Sequence, residues 1–228
     1  MNKYIYKVVI LLAVVLVSCD NANELLDGYI KDGPIVYAGK IDEMNTQSGY
    51  YRLRVNIFPA EDVNRDYCLL SWNVTSGIKD SVRIDYSENN YDEELGCYYT
   101  ILDLPSIEGN LLIESQNVDV FGNRSLKDNE GAFIYGATYV STLLNASVSF
   151  SSEVDEVIFE DRIGAVGNFL SYEQNNGQFT EEVLVTTERH PLVDAKKGGI
   201  VRSKTSYLMA ETDIDNLVTS EYLETIIP

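Results

Sequence analysis

The sequence predicts an all-β protein in which two tandem β-sandwiches follow a short leader and tether. Three observations lead to this prediction. Apolar and polar residues alternate with a period of two, turn residues interrupt these runs about every 8 to 12 residues, and one motif recurs after about 100 residues. Only the C-terminal stretch IDNLVTSEYLETI has a spacing that also fits a helix.

The leader begins with positive charge and a short hydrophobic run. Lys3 and Lys7 precede ten apolar residues, Val8 to Val17, which are too few to cross about 30 Å of hydrocarbon as a helix. This pattern predicts a secretory signal peptide over residues 1–18. The run ends in Leu-Val-Ser-Cys, which resembles a bacterial lipobox, so Cys19 is predicted to carry lipid on its sulfur and on its α-amine. An ordinary signal peptide that precedes an unmodified cysteine is the alternative.

The mature chain is strongly acidic. Removal of residues 1–18 leaves 15 basic residues against 36 acidic ones, a net charge of −21. Such a surface repels phosphate backbones, which excludes nucleic acid as a partner, and it repels anionic lipid as well. The lipid on Cys19 is therefore the predicted membrane contact, because several buried acyl chains at about 0.8 kcal/mol per methylene make a lasting anchor. With 45% hydrophobic residues, the chain can still bury cores.

An internal repeat supports two sandwiches. Leu70-Ser71-Trp72 recurs as Leu170-Ser171-Tyr172, and Gly77 recurs as Gly177. With one inserted residue the alignment continues, so that Ile78, Val82 and Ile84 correspond to Phe179, Val183 and Val185. Each copy reads as a strand, a glycine turn and a second strand, and the separation of about 100 residues is the length of one immunoglobulin-sized sandwich.

The domain bounds follow from this repeat and from the change in composition after Pro34. Residues 19–33 are polar and acidic and are predicted to form a tether. The first sandwich is assigned to residues 34–140 and the second to residues 141–228.

The alternation also assigns core faces on three predicted strands, found in YYRLRVNIF, CLLSW and CYYTILDL. The residues predicted to face the core are Leu53, Val55 and Ile57 in the first stretch, Cys68, Leu70 and Trp72 in the second, and Cys97, Tyr99 and Ile101 in the third. On this parity Trp72 is a core anchor, and an exposed ligand platform is the alternative. Gly122-Asn123 suits a hairpin turn.

Cys68 and Cys97 are the thiols that remain once Cys19 is modified. Outside the cytoplasm two such thiols invite a disulfide, here one that crosses the core between opposite sheets. Sheets that pack about 10 Å apart bring Cα atoms within the required distance of about 7 Å only in favourable places, so two separate buried thiols are the alternative. Both interpretations place the two cysteines in the interior.

The sequence offers little for catalysis, and we predict no catalytic residue, no cofactor and no bound metal. His190 is the only histidine, which excludes histidine-rich zinc sites, and its position in ERHPLV suits an exposed loop. Asp92 with its acidic neighbours, and Asp119 with Asn123, carry oxygen ligands of the kind that calcium prefers. The spacing of a calcium loop is absent, so solvated turns are the better interpretation.

Two further features are candidate contacts. Asp80-Ser81-Val82 resembles the three-residue acceptor of bacterial O-glycosylation, which makes Ser81 a candidate modification site. Tyr50 and Tyr91 lie at predicted loop ends, where an exposed ring would contact a sugar or a protein partner.

Three stretches carry a family resemblance: DGPIVYAGKID, SWNVTSGIKDSV and NVDVFGNRS followed by IYGATYVSTLLNASV. Their order and spacing resemble lipoproteins of a family of unknown function from Gram-negative gut bacteria, whose genes often lie beside starch-utilisation-type glycan uptake genes. The likeness runs from about Gly33 to the end of the sequence. It implies fibronectin type III or immunoglobulin-like domains, and it brings no catalytic residues.

These observations predict a non-enzymatic surface lipoprotein that binds or spaces a partner, either a glycan or a protein of an outer-membrane uptake complex. A spacer without a ligand, or a small cell-surface hydrolase that uses acidic residues, is the alternative. Asp20 would retain a lipoprotein at the inner membrane in enterobacteria. In the bacteria that the resemblance implies, early acidic residues favour the outer membrane with the chain facing the exterior, and we predict this location.

Overall fold

The computed structural model of the protein describes residues 36–61, 63–75, 77–151 and 155–228. The predicted signal peptide, the lipidation site Cys19 and the predicted tether lie outside these described residues. The architecture below is that of the compact unit Ala38–Pro228.

Two antiparallel sheets, each of four strands within the described ranges, form the first sandwich. Strand order is β1-β2-β6-β5 in one sheet and β4-β3-β7-β8 in the other. The bounds are β1 Ile41–Ser48, β2 Arg52–Pro59, β3 Arg65–Thr75, β4 Ile78–Asp85, β5 Tyr91–Asp92, β6 Cys97–Asp103, β7 Gly109–Asp119 and β8 Asp128–Ile134. A single turn of 3-10 helix, Glu88–Asn90, precedes β5.

A short helix, α1 (Ala137–Ser141), leads into the second sandwich. One sheet has the order β13-β10-β9, and the other has β12-β11-β14, with β15 and β16 both paired to β14. The bounds are β9 Val148–Phe150, β10 Glu156–Phe159, β11 Ala165–Tyr172, β12 Val183–Val185, β13 Arg189–Pro191, β14 Ile200–Tyr207, β15 Leu217–Val218 and β16 Leu223–Ile226.

The two sandwiches share one strand order. In an immunoglobulin-type sandwich the first, second and fifth strands pair in one sheet, and the third, sixth and seventh pair in the other. β1, β2 and β6 take the first set of positions in the first sandwich, as β9, β10 and β13 do in the second. β3 and β11 are the central third strands, with β4 and β12 at their outer edges. The prediction of an all-β fold of tandem sandwiches is confirmed.

The sequence repeat coincides with this structural repeat. Leu70 and Leu170 are fully buried on β3 and β11, and Trp72 and Tyr172 follow on the same inner faces. Gly77 follows the end of β3 with φ +86°, in the left-handed region that glycine occupies at little steric cost. Gly177 has φ +79° in the corresponding turn.

Each sandwich encloses its own apolar core. Leu53, Val55 and Ile57 on β2 are fully buried and pack against Cys68, Leu70 and Trp72 on β3, as the alternation predicts. The second core contains Val157, Phe159, Leu170, Tyr172 and Val201. Trp72 is therefore a core residue, and its Nε1 is buried without a hydrogen-bond partner among the described residues.

The predicted core face of β6 is wrong. Leu102 faces the core opposite Leu53, whereas Ile101 is exposed and pairs with Arg54 on the outer face. Cys97 shares the parity of Ile101, so it belongs to the outer face of its sheet. It is nevertheless fully buried.

The C-terminal stretch that also fits a helix forms strands β15 and β16 on β14 instead. The predicted hairpin turn is present, and Gly122 occupies it with φ +83°. Its position between β7 and β8 places the turn at one end of the first sandwich.

The sandwiches meet where the β1–β2 turn contacts the loop between β14 and β15. The Asp215 carboxylate accepts hydrogen bonds from the Tyr50 backbone N–H at 2.9 Å and from Arg52 Nε at 3.1 Å, and a second Arg52 nitrogen joins the ion pair. The Ile214 N–H donates to the Ser48 carbonyl at 2.9 Å. We call this contact the joint.

Close approach at the joint requires a glycine. A Cβ at Gly49 would lie 2.5 Å from Asp215 Oδ2 and 2.7 Å from Ile214 Cγ1, closer than such atoms approach. A second polar contact supports the joint, because the Tyr135 hydroxyl donates to Asp213 Oδ2 at 3.0 Å. The two sandwiches are therefore fastened by side chains as well as by the chain itself.

Candidate functional site

A groove of about 810 Å³ lies in the second sandwich, where the β10–β11 turn faces the connection from β12 to β13. Backbone hydrogen bonds hold its walls together. The Phe159 N–H donates to the Glu188 carbonyl at 2.8 Å, and the Glu160 N–H donates to the Ser147 carbonyl at 2.9 Å. The groove is thus formed by the ends of four strands, β9 to β12, and by two loops that are fixed to one another.

A glycine and a break in the β11–β14 register shape one wall. The pairing shifts between Ala165 and Gly167. A Cβ at Gly167 would lie 3.0 Å from the Leu184 side chain and 3.0 Å from the Val185 carbonyl. A larger residue would therefore push β12 away from β11 and change the groove.

A polar network lies beneath the groove. Asn168, which lines it, accepts a hydrogen bond from the Thr205 hydroxyl at 2.8 Å. Thr205 Oγ1 in turn accepts from the Ala146 N–H at 2.7 Å, and the Thr205 N–H donates to Asn145 Oδ1 at 3.0 Å. Because these polar groups are buried and bonded, they fix the side chains below the groove.

The lining is rich in hydroxyl and carboxylate groups. Its polar side chains are Ser147, Ser149, Thr186 and Thr187, the carboxylates Glu160, Asp161 and Glu188, the guanidinium of Arg162 and the amide of Asn168. Hydroxyls and carboxylates can accept hydrogen bonds from the hydroxyl groups of a ligand, and the Arg162 guanidinium can donate hydrogen bonds to the ligand oxygens. Three carboxylates against one guanidinium make the lining negative, which disfavours phosphorylated or sulfated ligands.

The second sandwich also presents aromatic rings on the outer face of the β12-β11-β14-β16 sheet. The Arg202 guanidinium carbon lies 4.3 Å from the Phe179 ring centroid, and Lys204 Nζ lies 4.4 Å from that of Tyr222. The Tyr222 hydroxyl donates to Glu182 at 2.7 Å, a bond that raises the pKa of Tyr222. Phe179 is 38% exposed and Tyr222 is 44% exposed. We call this surface, defined by these two rings and two cations, the outer aromatic face.

His190, the single histidine, is placed on β13 opposite Val157 and is half-buried. The expectation of an exposed loop position is wrong, because the segment pairs with β10. His190 is not among the residues that line the groove.

The oxygen-rich turns are held by hydrogen bonds of the protein itself. Asp119 Oδ1 accepts from the backbone N–H groups of Phe121 and Asn123, at 2.9 and 2.8 Å, and Oδ2 accepts from Asn123 Nδ2. Burial raises the pKa of Asp119, but these hydrogen bonds outweigh burial and leave the pKa below its ordinary value. Asp92 accepts from Arg54 and from two backbone N–H groups, and Arg54 is the main cause of its lowered pKa. Both carboxylates serve as turn caps.

Cys68 and Cys97 are both buried free thiols. Cys68 lies in the first core, whereas Cys97 is covered on the outer face beside Arg54 and Asp92, which carry the charges that act on its pKa. Cys68 points from β3 into the core, whereas Cys97 lies on the outer face of the opposite sheet, which contains β6. The β6 sheet therefore separates the two thiols, which accounts for the absence of a bridge across the core. Burial raises the pKa of Cys68 to about 12 and also raises that of Cys97.

The remaining candidates lie apart from the groove. Ser81 is exposed on the edge strand β4, and its N–H donates to Asp80 Oδ1 at 2.8 Å. Tyr50 is exposed at the joint, where its ring lies 4.8 Å from that of Tyr51. Tyr91 is exposed on β5, with its ring 5.0 Å from that of Tyr98. Sequence reasoning did not identify the groove, because its lining comes from segments without a common motif.

Among the described residues no three or more His, Cys, Asp or Glu side chains gather in a way that could hold a metal ion. In the same part of the chain, no helix has the length and apolar character needed to cross a membrane.

The fold and the groove define an all-β protein of tandem sandwiches with a polar surface groove. The chain belongs to the DUF4998 family, described as a domain of unknown function, whose model matches residues 19–217. A comparison with curated proteins finds no match.

The solved structures to which the chain is similar include the following two. Chicken CNTN1 FN1–FN3 domains are 12% identical, with a TM-score of 0.36 over 84% of this chain and 66% of the other. A family 76 glycoside hydrolase from a bovine Bacteroides thetaiotaomicron strain is also 12% identical, with a TM-score of 0.34 over 42% of this chain and 20% of the hydrolase. The chain thus spans one fifth of the length of the hydrolase and just under two thirds of the CNTN1 fragment.

Proposed function

We propose that this protein is a lipid-anchored, non-enzymatic binding module of the outer membrane, which faces the cell exterior and takes a neutral glycan into the groove of its second sandwich. The observation that carries this proposal is the groove itself, a fixed depression lined by hydroxyl, carboxylate and guanidinium groups. Groups of this kind donate hydrogen bonds to, and accept them from, the hydroxyl groups of a sugar chain. The resemblance to lipoproteins whose genes lie beside glycan uptake genes supports the same ligand class.

In this proposal the first sandwich is a spacer. The Asp215–Arg52 contact at the joint couples it to the groove-bearing second sandwich. The lipid on Cys19 and the tether would hold the first sandwich at the membrane. Mass spectrometry of the protein from membranes tests this part: we expect an acylated N-terminal Cys19, and an intact Met1 would contradict the anchor.

The groove is tested with the mature chain carrying Cys19→Ser, first on an array of neutral glycans and then by calorimetry. We expect the double variant Glu160→Ala/Glu188→Ala to lose about tenfold or more in affinity, since a hydrogen bond to a charged group contributes about 1.5 to 3 kcal/mol. Glu93→Ala, in an exposed turn of the first sandwich, is the matched control and should bind as the parent does. Equal affinity of all three proteins would place the ligand outside the groove.

The hydrolase alternative makes a different prediction from the same groove. A glycosidase needs two carboxylates about 5 to 9.5 Å apart on either side of the scissile bond. If Glu160, Asp161 or Glu188 supplied them, the bound glycan would be cut, and reducing ends would accumulate with time. Under our proposal the glycan is recovered intact after prolonged incubation with the parent protein.

A protein of an uptake complex is a second candidate partner, favoured by the outer aromatic face. Exposed rings held flat over cations provide apolar area with little loss of side-chain freedom on binding. Recovery of a co-purifying protein from membranes should fall with Phe179→Ala/Tyr222→Ala. It should persist with Tyr91→Ala, which removes an equally exposed ring from the first sandwich. Equal recovery with both variants would remove this candidate.

A further inference from the structure

Exposed apolar side chains gather at the end of the first sandwich opposite the joint. Val63 in the β2–β3 loop is 98% exposed, and Phe121 in the β7–β8 loop is 74% exposed. Val120 and Leu126, in the latter loop, are also exposed. We call these four side chains the apolar tip.

Hydrogen bonds bring the two loops and the start of the fold together. The Val120 N–H donates to the Asn64 carbonyl at 2.8 Å, which joins the two loops directly beside Val63. The Ala38 N–H donates to the Arg124 carbonyl at 3.3 Å, so the chain enters the first sandwich at this same end. The apolar tip and the entry point therefore share one end of the sandwich.

The tip is held outward by an ordered turn. The Asp119 carboxylate accepts the N–H groups of Phe121 and Asn123, and the Gly122 N–H donates to the Asp119 carbonyl at 2.9 Å. These bonds fix the turn in a form that leaves the Phe121 ring in solvent. Apolar side chains that are exposed together lower the solubility of a protein, and such groups mark surfaces that bind a protein or a membrane.

Charge at this end differs from charge in the rest of the molecule. The segments that form it, residues 38–40, 60–65 and 119–127, contain four basic and three acidic residues, whereas the mature chain contains 15 and 36. Two of these basic groups form ion pairs with acidic residues outside these segments, Lys127 with Glu114 and Lys40 with Asp128. This end is thus close to neutral, so an anionic surface repels it less than the charge of the whole chain would imply.

We infer that the apolar tip inserts into the headgroup region of the membrane that holds the lipid anchor. This inference rests on the proposed lipidation of Cys19. Residues 20–37 join Cys19 to the entry point and can reach about 60 Å when extended, so the tether permits other orientations. Insertion of the tip selects one of these orientations, in which β1 points away from the bilayer. Since β1 has eight residues at about 3.3 Å each, the joint then lies about 26 Å above the tip.

Tryptophan quenching tests this orientation independently of natural lipidation. In the mature chain Cys68 and Cys97 are buried, so Cys19 can be coupled selectively to a maleimide lipid in phosphatidylcholine vesicles. Phe121→Trp and Val63→Trp should each lose about half of their added emission when the vesicles contain brominated lipid, because interfacial side chains lie about 5 to 10 Å deep. The parent protein, in which only the buried Trp72 emits, gives the background.

Ile163→Trp is the matched control, because Ile163 is a fully exposed apolar residue in the corresponding loop of the second sandwich. Its emission should not change with brominated lipid. Unquenched emission of both Phe121→Trp and Val63→Trp would overturn the inference. It would not affect the proposal that the groove binds a glycan. A concentration-dependent dimer that Phe121→Glu abolishes would also overturn it, in favour of a second copy of the chain as the partner.

Mass spectrometry tests the natural lipid on Cys19 separately. If the natural protein carried no lipid, the proposed anchor would be contradicted, whereas quenching with the coupled lipid would still establish that the tip enters a bilayer.

Discussion

At the scale of single residues, the structure assigns structural roles to the polar and sulfur groups that looked most reactive in the sequence. Asp92 and Asp119 cap turns, His190 lies in a strand, and the two cysteines are buried in opposite sheets of the first sandwich. The contacts of Asp92 contribute to the stability of the folded chain and the burial of the two thiols limits their reactivity, and two measurements examine these effects.

The first prediction concerns the thiols. Burial raises the pKa of Cys68 to about 12 and raises that of Cys97 as well, so neither forms the reactive thiolate at neutral pH. In the mature chain with Cys19→Ser, a thiol reagent should therefore react with neither cysteine in the native protein. After denaturation without reductant it should titrate two thiols. A denatured protein with no reactive thiol would establish the disulfide instead.

The second prediction uses the lowered pKa of Asp92, caused chiefly by Arg54. A carboxylate whose pKa falls on folding adds stability above its unfolded pKa of about 3.9, and this stability is lost as the pH falls through the folded pKa. Asp92→Asn should therefore lower the melting temperature at pH 7. The difference from the parent should close progressively below about pH 4.

Asp42→Asn, which changes an exposed aspartate on β1 of the same sheet, is the control for loss of charge alone. It should leave the melting temperature near that of the parent at pH 7. If Asp92→Asn and Asp42→Asn behave alike from pH 3 to pH 7, the bond to Arg54 contributes nothing to stability.

At the scale of strands, alternation predicted the faces of β2 and β3 because one parity of each is more apolar than the other, although Phe58 and Leu69 lie on the more polar parity. The stretch CYYTILDL differs, since Tyr98 and Leu102 on one parity are as apolar as Cys97 and Ile101 on the other. The pattern therefore could not decide which face of β6 is buried. Packing against Leu53 decides it, and that contact joins residues distant in sequence.

The groove and the joint lay beyond sequence reasoning for the same reason. Asp215 and Arg52 are 163 residues apart, and nothing local to either predicts their contact. Short motifs can predict a turn such as the one at Gly122, because the residues of the turn themselves determine its conformation.

The repeated motif gives the third prediction. The Tyr172 hydroxyl accepts from the Val193 N–H at 2.9 Å and donates to the Val193 carbonyl at 3.2 Å, which ties a loop to β11. Tyr172→Phe should lower the free energy of unfolding by about 1 kcal/mol, because Val193 is exposed and water replaces part of the loss. Chemical denaturation measures this.

Tyr67→Phe provides the matched control, since the half-buried Tyr67 ring keeps its contact with Arg83 when the hydroxyl is removed. It should change the free energy of unfolding by less than about 0.5 kcal/mol. Equal losses in the two variants would mean that the Val193 contact does not stabilise the second sandwich.

At the scale of the whole molecule, the joint determines whether two sandwiches behave as one body. The fourth prediction is that Gly49→Ala opens it, because the new Cβ meets Asp215 and Ile214. Asp215→Ala should have the same effect by removing the acceptor for Tyr50 and Arg52. Small-angle X-ray scattering should show a broader distribution of interatomic distances for both variants.

Glu224→Gln is the control for the loss of an ion pair elsewhere, because Glu224 pairs with Arg202 on the outer face of the second sandwich. Its scattering should match that of the parent. Parent-like scattering of Gly49→Ala and Asp215→Ala would mean that the chain connection alone holds the sandwiches together.

The position of β1 has a mechanical consequence. With Cys19 fixed in a membrane, a ligand dragged by moving fluid would pull on the second sandwich, and the force would reach the anchor through Ala38 and β1. The strand runs from the entry point to the joint, and seven residue pairs connect it to β2. A force along the strand strains these pairs together in shear, whereas a perpendicular force would peel them apart one by one. The attachment at Ala38 therefore loads the first sandwich in shear, so that the seven pairs between β1 and β2 share the force and do not bear it one after another.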